Sequence, residues 1–265
     1  MTTTRTTCPY CGVGCGLLVT PQGKVSGDPD HPANFGRLCS KGAALGETLG
    51  LEGRLLHPMI GDTRSDWYNA LGLMAEKFGA AIRDHGPDSV AFYVSGQLLT
   101  EDYYVANKLM KGFIGSGNID TNSRLCMAST VVAQIRSLGE DVVPGCYEDL
   151  EIADLVVLVG SNTAWCHPVL FQRLVAARAA HGTKVVVIDP RRTETCDIAD
   201  LHLALAPGSD VRLWNGLLAY LRRHDAIDAE YLAAHVETPG DFWQALAAAD
   251  QSPATVAADC GLAEA

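Results

Sequence analysis

The sequence predicts an α/β protein: a small cysteine-rich N-terminal segment followed by doubly wound, mostly parallel (Rossmann-like) α/β domains, incomplete at the C-terminus. Three observations carry this expectation. From about residue 66 helical stretches alternate with strand-length apolar ones along the 265-residue chain. The strand stretches "DLVVLVG" and "KVVVID" are continuously apolar rather than alternating, as in a parallel sheet covered on both faces. Before residue 57 the sequence is instead glycine-rich, shows little helical periodicity and holds four of the nine cysteines.

In chain order, "GLLVTPQGKVSGD" reads as a short hairpin, two apolar runs about a Pro/Gly turn. A lone hairpin of that size is marginal in water, so the segment needs a staple. "WYNALGLMAEKFGAAIRDHG" is a helix ended by Gly86 and Pro87, and "SVAFYVS" is a strand. "TEDYYVANKLMKGF" is a helix with Thr100 at its N-cap and two acids in its first turn. Strand "DLVVLVG", helix "HPVLFQRLVAARAAHG", strands "KVVVID" and "LHLALA", and helix "DVRLWNGLLAYLRRH" follow. "SPATVAADCG" closes the series as a short helix, capped by Ser252, with Pro253 first and Gly261 after its end. Three segments are expected: 1–57 for the cysteine cluster, 58–140 as the first part of an α/β ligand-binding domain, and 141–265 as a Rossmann-like dinucleotide-binding domain.

Composition excludes several function classes. The formal charge is −11 and no basic run offsets it, which disfavours a nucleic-acid partner. The apolar stretches are far too short to span a bilayer, so no membrane partner is expected. "MTTTRTTCPY" has neither a twin-arginine pair nor an apolar run, so a cytoplasmic, reducing location is expected. Clustered thiols there serve metals more often than disulfides.

Cys8, Cys11, Cys15 and Cys39 are spaced C-x2-C-x3-C-x23-C. Structural zinc usually takes two separated pairs of ligands. Three thiols on one short loop with a distant fourth suit the corners of a [4Fe-4S] cluster better. Gly12, Gly14 and Gly16 would let backbone N–H groups approach the sulfurs, and Arg37 and Lys41 bracket Cys39 with positive charge. Lys41 either raises the cluster potential or hydrogen-bonds outward to a second redox centre, or it serves charge balance only.

In an open parallel sheet, ligands bind at the carboxyl ends of the strands. Here those ends run into Gly96-Gln97, Ser161-Asn162-Thr163, Asp189-Pro190-Arg191-Arg192-Thr193 and Pro207-Gly208-Ser209-Asp210. Each stretch is small or polar and precedes a helix whose N–H groups could hold phosphate. Asp189 and Asp210 could read the amino edge of a guanine or a pterin. Turn chemistry alone yields the same residue types, but four such loops point to a large nucleotide-like ligand. G-x-G-x-x-G and G-x-x-x-x-G-K-[ST] are both absent, which disfavours a simple NAD or ATP site. Cys126, in "TNSRLCMAST", is either a thiol activated at a helix start or a core residue.

Together the four-cysteine motif with Lys41, the "NSRLCM" stretch and the "DPRRT" and "PGSD" loops resemble the molybdopterin oxidoreductase family. Its members carry molybdenum or tungsten held by two pyranopterin guanine dinucleotides. The resemblance runs from residue 8 to near residue 260. Through "NIDTNSRLCMAST", "DVVPGCYEDL" and "GSNTAWCHPVLFQR" it looks closest to cytoplasmic assimilatory nitrate reductases. Members are much longer, so this chain is expected to bind cofactor poorly and catalyse nothing alone.

The resemblance implies that Cys8, Cys11, Cys15 and Cys39 bind the [4Fe-4S] cluster, that Lys41 bridges cluster and pterin, and that Cys126 binds molybdenum. It further implies that Gln97, Asn122, the loop from Gly160 through Ser161, Asn162 and Thr163 to Cys166, the run Asp189, Pro190, Arg191, Arg192 and Thr193, and Gly208, Ser209 and Asp210 hold a bis(molybdopterin guanine dinucleotide). Cys146, Cys196 and Cys260 are left as core residues, and the histidines gain no role. The implied reaction is reduction of nitrate to nitrite, with electrons from a flavoprotein, ferredoxin or flavodoxin. A formate dehydrogenase alpha subunit of the same family is one alternative, and a non-catalytic iron–sulfur electron-transfer or scaffold subunit is the other.

Overall fold

The computed structural model describes residues 3–248 and 251–263, so the outermost residues of the expected segments 1–57 and 141–265 lie outside it. The described chain groups into two compact units. One is Gly50–Pro144, and the other joins the N-terminal segment up to Leu49 to the chain from Gly145 onward.

The N-terminal segment holds β1 (Thr4–Thr7), β2 (Gly16–Val19), β3 (Val25–Gly27) and a one-turn helix α1 (Ser40–Ala43). The expected hairpin is β2–β3, with Leu17 opposite Gly27. The polar strand β1, which carries no apolar pattern, adds to its other edge with Thr7 opposite Gly16.

The unit from Gly50 begins with a short hairpin, β4 (Met59–Ile60) and β5 (Thr63–Arg64), then α2 (Trp67–His85). Asp66 caps α2 by accepting from the Asn69 N–H at 2.8 Å. Trp67, Tyr68, Leu71 and Met74 stay exposed on this helix. The parallel pair β6 (Phe92–Val94) and β7 (Ile119–Thr121) is bridged by α3 (Thr100–Asn107) and a π-helical stretch, Lys108–Ile114, that buries Met110. Thr100 is the first helical residue rather than the N-cap. The Asp102 carboxylate folds back to accept from the Leu99 N–H at 3.2 Å, which starts the helix one residue earlier. Two helices, α4 (Ser123–Cys126) and α5 (Ala128–Leu138), complete the unit.

Beyond Gly145 the alternation is regular. A one-turn α6 (Asp149–Ile152) leads into β8 (Leu155–Val159), then α7 (Thr163–Cys166) and α8 (Pro168–His181). α8 begins at Pro168, which has no N–H to leave unpaired, and ends at left-handed Gly182. β9 (Lys184–Ile188) and β10 (Leu201–Leu203) follow, joined by a 3-10 turn, Glu194–Ile198. The remaining helices are α9 (Asp210–Arg223), α10 (Ala229–His235), α11 (Phe242–Ala247) and α12 (Pro253–Cys260). Ser252 caps α12 by accepting from the Thr255 N–H, as expected.

The sheet order is β10-β9-β8, all parallel, with Val157 opposite Val186 and His202 opposite Val187. One core of Val156, Leu174, Val185, Val187 and Cys196 sits under α8. A second, of Ile188, Leu205, Leu213, Val256 and Cys260, sits under α9 and α12. The expected cover on both faces is missing at β8, whose Leu155, Val157 and Val159 are exposed because this outer strand has nothing packed on that side among the described residues. β10 is shorter than "LHLALA". The chain leaves the sheet where the Ala206 N–H turns to the Cys260 carbonyl at 2.7 Å.

Arg178, in the last turn of α8, donates from both terminal nitrogens to Asp200, and the Val185 N–H donates to the same carboxylate at 2.8 Å. The Arg178 guanidinium and then the Val185 amide hold this carboxyl far below the usual carboxylate range. A depressed folded-state value means stability that is present above the unfolded carboxylate value near pH ~4 and lost as acid protonates the group. Asp200→Asn is therefore expected to lower the thermal midpoint at pH 7. The gap to the parent protein should narrow as the pH falls below about 4, followed by circular dichroism. A gap independent of pH would show that the carboxylate charge is not what holds α8 to the sheet.

Candidate functional site

The loop after β1 turns tightly because Gly14, at φ +67, takes a left-handed conformation and its N–H donates to the Cys11 carbonyl. The Cys8 N–H closes the loop on the Cys15 carbonyl at 2.9 Å. Gly16 is glycine for a reason other than sulfur access: a Cβ there would lie 2.3 Å from the His31 ring. Cys39 stands at the N-cap of α1, and Gly42 of that turn comes within 3.9 Å of the Cys8 sulfur, measured from a Cβ built on it.

Cys8, Cys11, Cys15 and Cys39 line one cavity, closed by Val13, Leu38 and Val169. Cys15 is buried and the other three are partly so. Burial first, and then the neighbouring Cys8, Cys11 and Cys39 sulfurs, push the Cys15 thiol up to about 11. Thiolates so placed need compensating positive charge, which a metal centre supplies. Among the described residues no three His, Cys, Asp or Glu side chains are gathered closely enough for a single metal ion. Four thiols spread around a cavity suit a cube with one sulfur on each iron. Lys41 is exposed on α1, and neither it nor Arg37 is ion-paired among the described residues.

The sheet brings the other predicted loops of this unit to one edge, because β8, β9 and β10 are parallel. After β8, Gly160 donates its N–H to the Ile188 carbonyl, and the Ser161 and Thr163 hydroxyls lie 2.8 Å apart. After β9, Asp189 accepts from the Arg191 N–H at 2.8 Å. Arg191 and Arg192 point to solvent without a carboxylate partner among the described residues. The Thr193 hydroxyl is buried and has no hydrogen-bond partner, an orphan that a ligand oxygen or amine could satisfy. After β10, the Ser209 hydroxyl donates to the Ala206 carbonyl at 2.6 Å, while Gly208 is exposed and Asp210 half-buried. Thr195, which the sequence did not single out, ties two loops together. Its hydroxyl donates to Asn162 and accepts from the Ala164 N–H, both at 3.1 Å. Pro168 and Val169, at the start of α8, line the cysteine cavity, so the cavity lies on the carboxyl-end side of the sheet as well.

In the other unit, Gly96-Gln97 and Asn122 leave the carboxyl ends of the parallel pair β6 and β7. The Asn122 side-chain oxygen lies 3.1 Å from the position of a Cβ on Gly96, so the two loops touch. Cys126 is exposed and ends α4, its N–H bonded to the Asn122 carbonyl at 3.1 Å. It therefore precedes α5 by one residue, Met127, rather than opening it. Cys196 and Cys260 are core residues as expected, whereas Cys146 is exposed. The Cys146 N–H bonds to Asp149 ahead of α6, and that turn directs its side chain outward.

The family profile described as "Molybdopterin oxidoreductase" matches residues 54–226, and that of the "Molybdopterin oxidoreductase Fe4S4 domain" matches residues 1–49. The chain belongs to the molybdopterin oxidoreductase family. Its cofactors are accordingly a molybdenum–molybdopterin centre and a [4Fe-4S] cluster. Among known proteins it is 63% identical over 236 residues to a nitrate reductase of Klebsiella oxytoca, covering 87% of this chain and 27% of that protein. It is 52% identical over 249 residues to a nitrate reductase of Shewanella frigidimarina (89% and 26%). It is 43% identical over 221 residues to a periplasmic nitrate reductase of Desulfovibrio desulfuricans (79% and 29%). The chain thus spans about a quarter of the length of the first relatives it matches. The fold is that of acetylene hydratase from Pelobacter acetylenicus, with a TM-score of 0.78 and 23% identity over 98% of this chain and 37% of that one. Among the described residues no helix is long and apolar enough to cross a membrane.

Proposed function

We propose that the full-length protein reduces nitrate to nitrite, with this chain supplying the cluster and part of the dinucleotide-binding wall. The observation that carries the reading is the 63% identity, over most of this chain, to a protein named a nitrate reductase. In this reading Cys8, Cys11, Cys15 and Cys39 hold the cluster, and Cys126 is the protein ligand to molybdenum. Bound there, the two centres supply electron delivery and removal of an oxygen atom from the substrate. Lys41, next but one to Cys39 and without an ion pair among the described residues, sets positive charge on the route out of the cluster. Arg191 and Arg192 meet phosphate oxygens, the Thr193 hydroxyl gains its missing partner, and Asp189 and Asp210 accept from the amino edge of guanine or pterin. Gln97 and Asn122 do the same work at the ends of β6 and β7.

Electrons would come from a flavoprotein, ferredoxin or flavodoxin. An assimilatory, cytoplasmic enzyme fits the nine cysteines, none of which is in a disulfide among the described residues. Cell fractionation checks this, and activity confined to a periplasmic extract would refute it.

Substrate choice turns on the neighbour of Cys126. Oxidising formate removes hydrogen from carbon, and an adjacent imidazole could relay that proton near neutral pH. Here the neighbour is Met127, which cannot titrate. Nitrate loses oxygen, not hydrogen, and the protons needed can arrive with water. With a reduced dye as donor, the full-length protein is expected to form nitrite from nitrate; with the oxidised dye as acceptor, it is expected to oxidise formate negligibly. Formate-dependent dye reduction at comparable rates would overturn the assignment.

A further inference from the structure

Arg173, on α8, is wholly buried. A buried charge is costly unless paired, and an apolar side chain of similar volume would pack there at no such cost. Its contacts point to a reason for the charge. Nε donates to Glu151 at 2.7 Å, and one terminal nitrogen donates to the carbonyls of Pro32 at 2.8 Å and Ala33 at 3.0 Å. The other terminal nitrogen is buried without a hydrogen bond, 3.7 Å from Glu148. The guanidinium lies 5.2 Å from the Phe35 ring centre and 5.7 Å from that of Tyr147.

Tyr147 continues the chain of contacts. Its hydroxyl lies 3.2 Å from the Gly12 carbonyl and 3.0 Å from the Val13 carbonyl, so its one proton is shared between two groups of the three-thiol loop. On the opposite arm, Pro32 and Ala33 run into fully buried Asn34. The Asn34 amide pairs with both the N–H and the carbonyl of Gly16, next to Cys15, and donates to the Arg37 carbonyl, two residues before Cys39. Val169, one turn before Arg173 on the same face of α8, packs against Val13 and Cys15. One buried cation therefore braces both arms of the thiol set. Glu148 and Glu151, 52% and 34% exposed, pair with the guanidinium, so Arg173 acts on the thiol set through the Pro32 and Ala33 carbonyls and through Tyr147.

We propose that Arg173, acting through Tyr147, is a positioning residue for the cluster: it fixes the three-thiol loop and the Cys39 arm against α8 and holds the cluster's reduction potential up. The inference rests on the reading of the four thiols as cluster ligands. A [4Fe-4S] cluster on four thiolates is anionic, and gaining an electron is easier beside a buried cation and beside carbonyls whose negative ends are tied to a donor. The test is a redox titration of the cluster by electron paramagnetic resonance, with iron and labile sulfide per chain, in full-length Tyr147→Phe, Arg173→Lys and Arg173→Gln. Tyr147→Phe keeps the stacked ring and removes only the hydroxyl. It is expected to shift the potential downward at parental iron content, or to shed iron from an otherwise folded protein. Arg173→Lys keeps the charge and should stay nearer the parent than Arg173→Gln. Full loading at the parental potential in Tyr147→Phe overturns the proposal even if the Arg173 variants fail to fold. So does a potential in Arg173→Lys as low as in Arg173→Gln. Absence of iron and labile sulfide from the parent protein would instead refute the cluster reading itself.

Discussion

Replacing Cys11 by serine in the full-length protein is expected to take the iron content from about four per chain to near zero, with loss of the brown colour and of labile sulfide. Cys11 is one of three thiols on a loop closed by the Cys8–Cys15 and Gly14–Cys11 backbone bonds, and a serine hydroxyl is a much weaker iron donor than the thiolate it replaces. The structural effect should be graded along the segment. Hydrogen exchange should rise most between residues 8 and 15, the loop that carries the lost ligand. It should rise less at Ala33 and Asn34, which Arg173 and the backbone of Gly16 hold independently of sulfur. Parental iron in the Cys11→Ser protein would show that this thiol does not ligate the cluster.

Replacing Cys126 by serine should have the opposite profile. The side chain is exposed, so the thermal midpoint should stay near that of the parent. Cys126 belongs to the unit Gly50–Pro144 and the four clustered thiols to the other, so iron and labile sulfide should also be unchanged. Nitrate turnover should nevertheless fall by more than about a hundredfold, since even groups one layer removed from a metal commonly cost that much. The molybdenum signal should change shape. A normal molybdenum spectrum with normal turnover would return Cys126 to the status of an ordinary surface thiol.

What the sequence disclosed and what it hid divide along the range of the interactions. Pro168 and Gly182 around α8, Ser252 and Gly261 around α12, and the β2–β3 hairpin are local signals, and the folded chain obeys them. So are the three polar stretches after β8, β9 and β10, since a parallel sheet must place them on one edge; the fourth, Gly96-Gln97, follows β6 in a separate two-stranded sheet, so the expectation of four loops on one edge is corrected to three. β1 stayed hidden because Thr4–Thr7 carries no apolar alternation and is a strand only through pairing with β2. β7 is three residues inside a polar stretch and exists through its register with β6. β10 ends early because Cys260, far along the chain, takes the Ala206 N–H. Arg173, Tyr147 and Asn34 gave no signal for the same reason. Arg173 meets carbonyls 140 and 141 positions away, and nothing in the run "LFQRLV" marks its arginine as buried. Thr195 lay just beyond "DPRRT" and could have been included by extending that loop to its next hydroxyl.

Metal and sulfide analysis of the full-length protein, purified without oxygen, bears most directly on the central claim that the four clustered thiols hold an iron–sulfur centre serving a molybdenum site. The expected result is about four irons and four labile sulfides per chain together with about one molybdenum. Stoichiometric zinc without labile sulfide, or a full iron–sulfur complement with no molybdenum at all, would contradict it.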